Sequence, residues 1–335
     1  MSKRILFMLI LLLFTVNITS AQQKQIKNPY HNSWALLIGN NKYPKLPADK
    51  QLKYAVDDAS DMGDLLVSDL QFPKSNVTIL RDEDATLQRI KDEMGELADP
   101  QKVDEKDRVL IYFSGHAQTV KLARGGEMGY IIPYIPSEAK VDLNDTKNPS
   151  AYIKTCLGMD MLKQLSKQIP AKHILFLVDA CYSGLAIETN RDGGPSIPKG
   201  LDTVASSTVS QIITAGLKGQ KSTENSDWGH GAFTYKLLEA LRTGAADNLP
   251  KDGVITGGEL GEYLSSVVPN ISPNQTPNFD KFEGEGQFLF PLNYEIGMLY
   301  VKATAEGQPT DAKVFIDGRE VGITPYTDEE IRPGA

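Results

Sequence analysis

Two uninterrupted apolar runs, Arg108-Val109-Leu110-Ile111-Tyr112-Phe113 and His173-Ile174-Leu175-Phe176-Leu177-Val178, constrain this chain more than any other feature. A strand with one wet face alternates apolar and polar residues. A run that is apolar throughout belongs to a strand covered on both sides, as in a parallel sheet between two helix layers. Ser33-Trp34-Ala35-Leu36-Leu37-Ile38-Gly39 and Ser210-Gln211-Ile212-Ile213-Thr214-Ala215 read the same way, and Asn76-Val77-Thr78-Ile79-Leu80 makes a further strand. Between them the period changes. Ala55, Ala59, Met62 and Leu66 share one face of a helix expected over about 52–70, and Leu87, Ile90, Met94 and Leu97 line another. Further helices are expected near 158–169, 233–241 and 259–267, the last opened by a Thr256/Glu259 capping box. Alternating strands and helices predict an α/β fold with a mostly parallel sheet flanked by helices. In such sheets ligands bind beyond the carboxyl ends of the strands.

After Pro291 the rhythm changes to short strands and turns, Gly297-Met298-Leu299-Tyr300-Val301-Lys302-Ala303 and Ala312-Lys313-Val314-Phe315-Ile316-Asp317-Gly318, predicting a small all-β module. Its last residues, Arg332-Pro333-Gly334-Ala335, read as a turn with no strand after it, the pattern of a truncated module. At the other end, Ser2-Lys3-Arg4, an apolar run from Ile5 to Val16 and Thr19-Ser20-Ala21 have the layout of a secretory leader cut after Ala21. The run is shorter than the ~20 residues that span a bilayer. Export to a periplasm or the cell exterior is the expectation, with a first domain over 30–292 and the β module over 297–335.

A formal charge of -8 leaves no basic stripe, which argues against a nucleic-acid partner. Cys156 and Cys181 allow one disulfide at most and no disulfide framework.

Two of the apolar strands run into chemically loaded loops. Tyr112-Phe113 leads into Ser114-Gly115-His116-Ala117, and Leu177-Val178 leads into Asp179-Ala180-Cys181-Tyr182-Ser183-Gly184. A thiol attacks only as thiolate, and a neighbouring imidazole raises that fraction and can protonate a leaving amine. Cys181 as nucleophile and His116 as general acid/base need no metal. The backbone amides of Gly115 and Cys181 are the candidate oxyanion donors.

These segments resemble the catalytic segments of caspases, and more closely those of metacaspases and their bacterial relatives. The resemblance extends over about 34–290, through Trp34-Ala-Leu-Leu-Ile-Gly-Asn, Ala55-Val-Asp-Asp-Ala, Gly231-Ala-Phe-Thr, Gln275-Thr-Pro and Gly286-Gln-Phe-Leu-Phe. It implies a caspase-like fold and peptide-bond hydrolysis through an acyl-enzyme on Cys181. It also implies an acidic pocket made of Asp58 and Asp179, with Ser114 beside them, for an Arg or Lys side chain preceding the scissile bond. A carboxylate pair suits a cation, and Arg can be held bidentately. The implied partners are proteins or peptides carrying Arg or Lys. The alternative reading is a caspase-like scaffold that binds partners without cleaving.

Tyr182 stands where metacaspases commonly carry His. The calcium-binding aspartates of that branch have no residue-by-residue match here, so calcium activation is left open and no cofactor is required by the dyad. Residues 248–259 half resemble a calcium loop, but Pro250 takes a ligand position and a turn with a helix cap explains the pattern. His31, His173 and His230 are too scattered to suggest a metal site. The polar segment 185–208, with Arg191 and Lys199, is a candidate self-cleavage loop. Val314-Phe-Ile-Asp317-Gly318 through Thr324-Pro325 resembles part of a PEGA domain, which implies an envelope partner.

Overall fold

The computed structural model describes residues 12–25, 28–180, 201–217, 219–248, 251–305, 308–316 and 319–331. The chain divides into two compact units, one made of 27–292 and the other of 1–26 with 293–335. The first described strand, β1 (Leu12–Gln25), belongs to the second of these.

The larger unit is built on a six-stranded sheet. Its strands are β2 (Ser33–Gly39), β3 (Val77–Arg81), β4 (Arg108–Ser114), and, after the short β5 (Ala117–Lys121), β6 (Glu127–Ile131) and β7 (Leu157–Gly158), β8 (His173–Asp179) and β9 (Val209–Thr214). Then come β10 (Glu224–Asn225), β11 (His230–Gly231), β12 (Val254–Thr256), the sixth sheet strand β13 (Asn278–Gly284), and β14 (Leu289–Pro291). The order across the sheet is β13-β9-β8-β4-β2-β3, with every pair parallel except β13 with β9. All seven positions of β4 and of β8 are buried, as their apolar interiors require, with polar residues confined to the strand ends.

Among the described residues, seven α-helices accompany these strands: α1 (Ala55–Ser68), α2 (Leu87–Leu97), α3 (Pro149–Thr155), α4 (Met159–Ser166), α5 (Leu201–Ser206), α6 (Ala232–Thr243) and α7 (Gly257–Ile271). Ile90, Met94 and Leu97 of α2 and Leu162 of α4 join Leu36, Ile38, Ile111, Phe113, Phe176 and Val178 in one core. Helix α1 packs on β2, β3 and β4 and against α6. Its approach to β2 is close, since a Cβ on Gly39 would lie 2.3 Å from the Ala55 carbonyl oxygen. The Thr256/Glu259 capping box opens α7 as expected.

A buried cation sits at the amino end of β4. Arg108, with no exposed surface, donates to the Ser33 hydroxyl (2.8 Å) and to the carbonyls of Leu289 and Leu70 (2.6 Å each), and lies 4.3 Å from the Phe72 ring centroid.

The terminal unit is antiparallel. Strand β15 (Asn293–Ala305) pairs with β1 on one side, and with β16 (Gln308–Pro309) and β19 (Tyr326–Ile331) besides, while β17 (Lys313–Ile316) and β18 (Arg319–Ile323) form a separate hairpin. The expected leader therefore overlaps a strand, and a cut after Ala21 would leave only residues 22–25 of β1 on β15. One expectation for 185–208 needs revision, and the other is not tested. Residues 201–206 form helix α5 where a polar loop was expected, and 181–200, with Arg191 and Lys199, lie outside the described residues.

Candidate active site

Because β2, β4 and β8 run parallel, their carboxyl ends form a row in which Gly39 pairs with Ser114 and Ser114 with Asp179. Strand order reverses between β2 and β4, so this is also the crevice where α/β sheets bind ligands. His116 follows Ser114 by two residues. Cys181 follows Asp179 by two and lies outside the described residues, whose last member there is the buried Ala180.

The loop between β2 and α1 clamps His116. Its Nε2 lies 2.6 Å from the Lys50 carbonyl oxygen, its ring packs against Tyr43 at 4.6 Å between centroids, and its N–H donates to the Tyr43 hydroxyl (2.7 Å). A carbonyl only accepts, so Nε2 carries the proton and Nδ1 keeps the lone pair. Burial lowers the His116 pKa from its ordinary value, with the Lys50 bond opposing, so the neutral, base-competent form prevails at neutral pH. Tyr43 is itself fixed: Gln51 accepts from its N–H (2.7 Å) and donates to its carbonyl (3.1 Å).

The expected acidic pair is present and buried, with Asp58 1% and Asp179 3% exposed. Asp58 accepts from the Ser114 hydroxyl (2.8 Å) and the Gly231 N–H (3.3 Å), and contacts His230 Nδ1 (2.8 Å). Asp179 accepts from the Ser222 hydroxyl (2.6 Å) and from the N–H and hydroxyl of Thr234 (3.2 and 2.7 Å). Both carboxylates face one point, because a Cβ on Gly231 would lie 2.6 Å from Asp179 Oδ2 and 3.4 Å from Asp58 Oδ2. Burial raises both acids, and with the Asp58 charge as second cause brings Asp179 to about 7.

Gly115 is a correction. Its N–H donates to the Asp179 carbonyl at 3.1 Å, extending the β4–β8 ladder by one bond, and so is not directed at an oxyanion. Ala117 is placed differently. It opposes Ile131 while Ile132 N–H donates to the His116 carbonyl (2.9 Å), which makes Ala117 and Ile131 a non-hydrogen-bonded pair and turns the Ala117 N–H away from β6.

Cys156 is a free, buried thiol in the cluster of Tyr43, Val120, Tyr130 and Tyr152, and burial raises its pKa to about 12. It packs as a small hydrophobe. Asp247, just before the half-calcium-loop segment, accepts the N–H groups of Asp252 and Gly253 at 3.1 and 2.9 Å; residues 249–250 lie outside the described residues.

Sequence reasoning missed Lys50, Tyr43, Thr234 and the place of His230. Lys50 contributes a backbone carbonyl, which no side chain advertises. Asp58 did carry a signal, an acid three residues after Ala55 and four before Met62 on the buried face of α1.

A mostly parallel sheet thus brings a clamped histidine after β4 and a buried acid pair, Asp179 at the end of β8 and Asp58 on α1, to one end of its strands. The caspase-domain family model matches residues 32–281, and the chain belongs to that family, one of cysteine-type peptidases acting on proteins. Among solved structures, the chain is similar to protein GSU0716 from Geobacter sulfurreducens, with a TM-score of 0.49, 19% identity, and coverage of 75% of this chain and 93% of that one. No curated protein sequence matches.

Proposed function

We propose that the protein is an exported cysteine endopeptidase that cleaves after Arg or Lys, with Cys181 as nucleophile, His116 as general acid/base and Asp58, Ser114 and Asp179 as the pocket for the cationic side chain. The observation that carries this reading is the pairing of Ser114 with Asp179, since His116 and Cys181 each follow a member of that pair by two residues on adjacent parallel strands.

In this reading the bare Nδ1 of His116 takes the thiol proton. The thiolate attacks the scissile carbonyl, and the same proton passes to the leaving amine as the acyl-enzyme forms. A water activated by His116 then releases the acid product and restores the thiol. The Ala117 N–H, outside the β5–β6 ladder, is better placed than that of Gly115 to join Cys181 in stabilising the oxyanion. The buried acid pair supports the choice of a basic side chain, because a cation recovers the cost of ionising both carboxylates. The terminal β unit is assigned, on its resemblance to a PEGA domain, to attachment in the envelope.

The test is hydrolysis of fluorogenic peptides ending in Arg, Lys or Asp, with and without calcium, by the protein and its Cys181→Ala variant. Cleavage after Arg or Lys that vanishes in the variant supports the reading. Cleavage after Asp refutes the pocket assignment, and no cleavage under reducing conditions in either buffer favours a non-cleaving scaffold.

A further inference from the structure

We propose that His230 is a specificity-determining residue of the acidic pocket: its imidazolium, held between Asp58 and Asp61, keeps Asp58 ionised beside Asp179 and so keeps the pocket receptive to a cationic side chain below neutral pH. The inference rests on the reading of Asp58, Ser114 and Asp179 as that pocket.

The geometry favours charge on the ring. His230 Nδ1 lies 2.8 Å from Asp58 Oδ1 and Nε2 lies 3.3 Å from Asp61 Oδ2. The Nδ1 contact is a hydrogen bond and the Nε2 contact an ion-pair distance, so an imidazolium between the two carboxylates is favoured over a neutral ring. The clamp is largely shielded: the His230 side chain is 12% exposed and that of Asp58 1%, while Asp61 reaches water at 44%. It is also held in place. The Glu224 carboxylate, on the strand paired with His230, accepts the N–H groups of Lys53 and Tyr54 at the start of α1, which fixes the β10–β11 hairpin over Asp58.

The charged groups around the ring favour the imidazolium. Asp58 and Asp61 come from α1; Arg242 on α6 opposes them, and the Asp58 bond raises the His230 pKa above its ordinary value. Glu224 on β10 and Asp179 on β8 bear on Asp58 or its partner and would repel a second negative charge. Two buried carboxylates facing one point cannot both ionise cheaply, so one must hold the proton unless a cation intervenes. His230 touches Asp58 alone of the two. It therefore decides which acid stays charged, and leaves Asp179 as the member that titrates near 7.

A purely structural hydrogen bond and a competing cation predict different results. His230→Gln keeps a side-chain donor towards Asp58 without the charge. The measurement is calorimetric binding of a blocked Arg peptide and its citrulline counterpart, neutral and nearly isosteric, to the full chain carrying Cys181→Ala, with and without His230→Gln, at pH 5.5 and 8.5. With His230 present, Arg is preferred at both pH values. With His230→Gln that preference falls at least about tenfold at pH 5.5 and by less than about threefold at pH 8.5. An Arg preference indifferent to His230→Gln, or improved by it at pH 5.5, overturns the inference alone. Equal binding of the two peptides to the His230 chain at both pH values overturns the pocket reading and the inference with it. NMR titration of the imidazole in the Cys181→Ala chain needs no pocket substitution. A His230 midpoint above the ordinary value of about 6.5 is expected, and one at or below it overturns the inference.

Discussion

His116 Nε2 donates to the Lys50 carbonyl oxygen across 2.6 Å, and this single contact fixes which ring nitrogen is left to act as a base. The Tyr43 hydroxyl holds the same residue from the other side by accepting its N–H. Tyr43→Phe removes that acceptor but keeps the ring against the imidazole. The exposed-to-nothing N–H should cost about 1–3 kcal/mol of stability. The loosened His116 backbone should lower kcat about tenfold with KM little changed, since no substrate contact is lost. Urea denaturation and steady-state kinetics check the two halves separately.

How much of this arrangement was legible follows from which groups do the work. The apolar runs at 108–113 and 173–178 announce their strands because both faces are buried. His116, Asp58, Ser114 and Asp179 stand out as polar residues at the ends of such strands or on the inner face of α1. The clamp on His116 does not, because Lys50 acts through its backbone and Tyr43 reads as an ordinary break after β2. The hairpin that delivers His230 is two pairs long, too short for any period to register, and β5 carries Gln118, Thr119 and Lys121 on a half-exposed surface. Gly115 was misread for a related reason: its neighbour His116 marks it as a site residue, but the ladder between β4 and β8 claims its N–H.

Arg108 is a cation with no carboxylate among its hydrogen-bond acceptors; it is held by Ser33, Leu70, Leu289 and aromatic faces. Arg108→Met keeps much of the volume but leaves two buried carbonyls and a hydroxyl without a donor. The expected loss is about 3 kcal/mol or more, read as a lower urea midpoint at unchanged slope. Arg108→Lys should recover little, because an ammonium cannot match a planar fork directed at three separate acceptors.

Asp179 carries a stability cost that depends on pH. Its folded pKa of about 7 lies above the ordinary carboxyl value, so between roughly 4 and 7 the native state binds the extra proton. Stability contributed by that proton is present at low pH and is lost as pH rises towards 7. Asp179→Asn abolishes the titration and can keep the Thr234 donors on its oxygen while its amide faces the Ser222 hydroxyl. The variant should therefore melt above the parent at pH 8, with the gap narrowing towards pH 5, while its preference for Arg and Lys peptides falls. A melting-temperature gap that does not change with pH would refute the burial of an ionising Asp179.

Gly231 offers the cleanest test that the two carboxylates share one pocket. Its backbone, at φ -65° and ψ 146°, is open to any L residue, so Gly231→Ala introduces no backbone strain. The new methyl would instead stand 2.6 Å from Asp179 Oδ2 and 3.4 Å from Asp58 Oδ2. Asp179 must shift, and its three hydrogen bonds to Ser222 and Thr234 resist that shift. His116 is untouched, because its contacts run to Lys50 and Tyr43 on the other side of β4. The variant should raise KM for Arg peptides at least about tenfold and leave the alkylation rate of the nucleophile by a small neutral reagent within about twofold of the parent. If KM is unchanged, the point on which Asp58 and Asp179 converge is not where the substrate's cation sits. If alkylation slows in step with peptide cleavage, the acid pair supports the dyad rather than specificity.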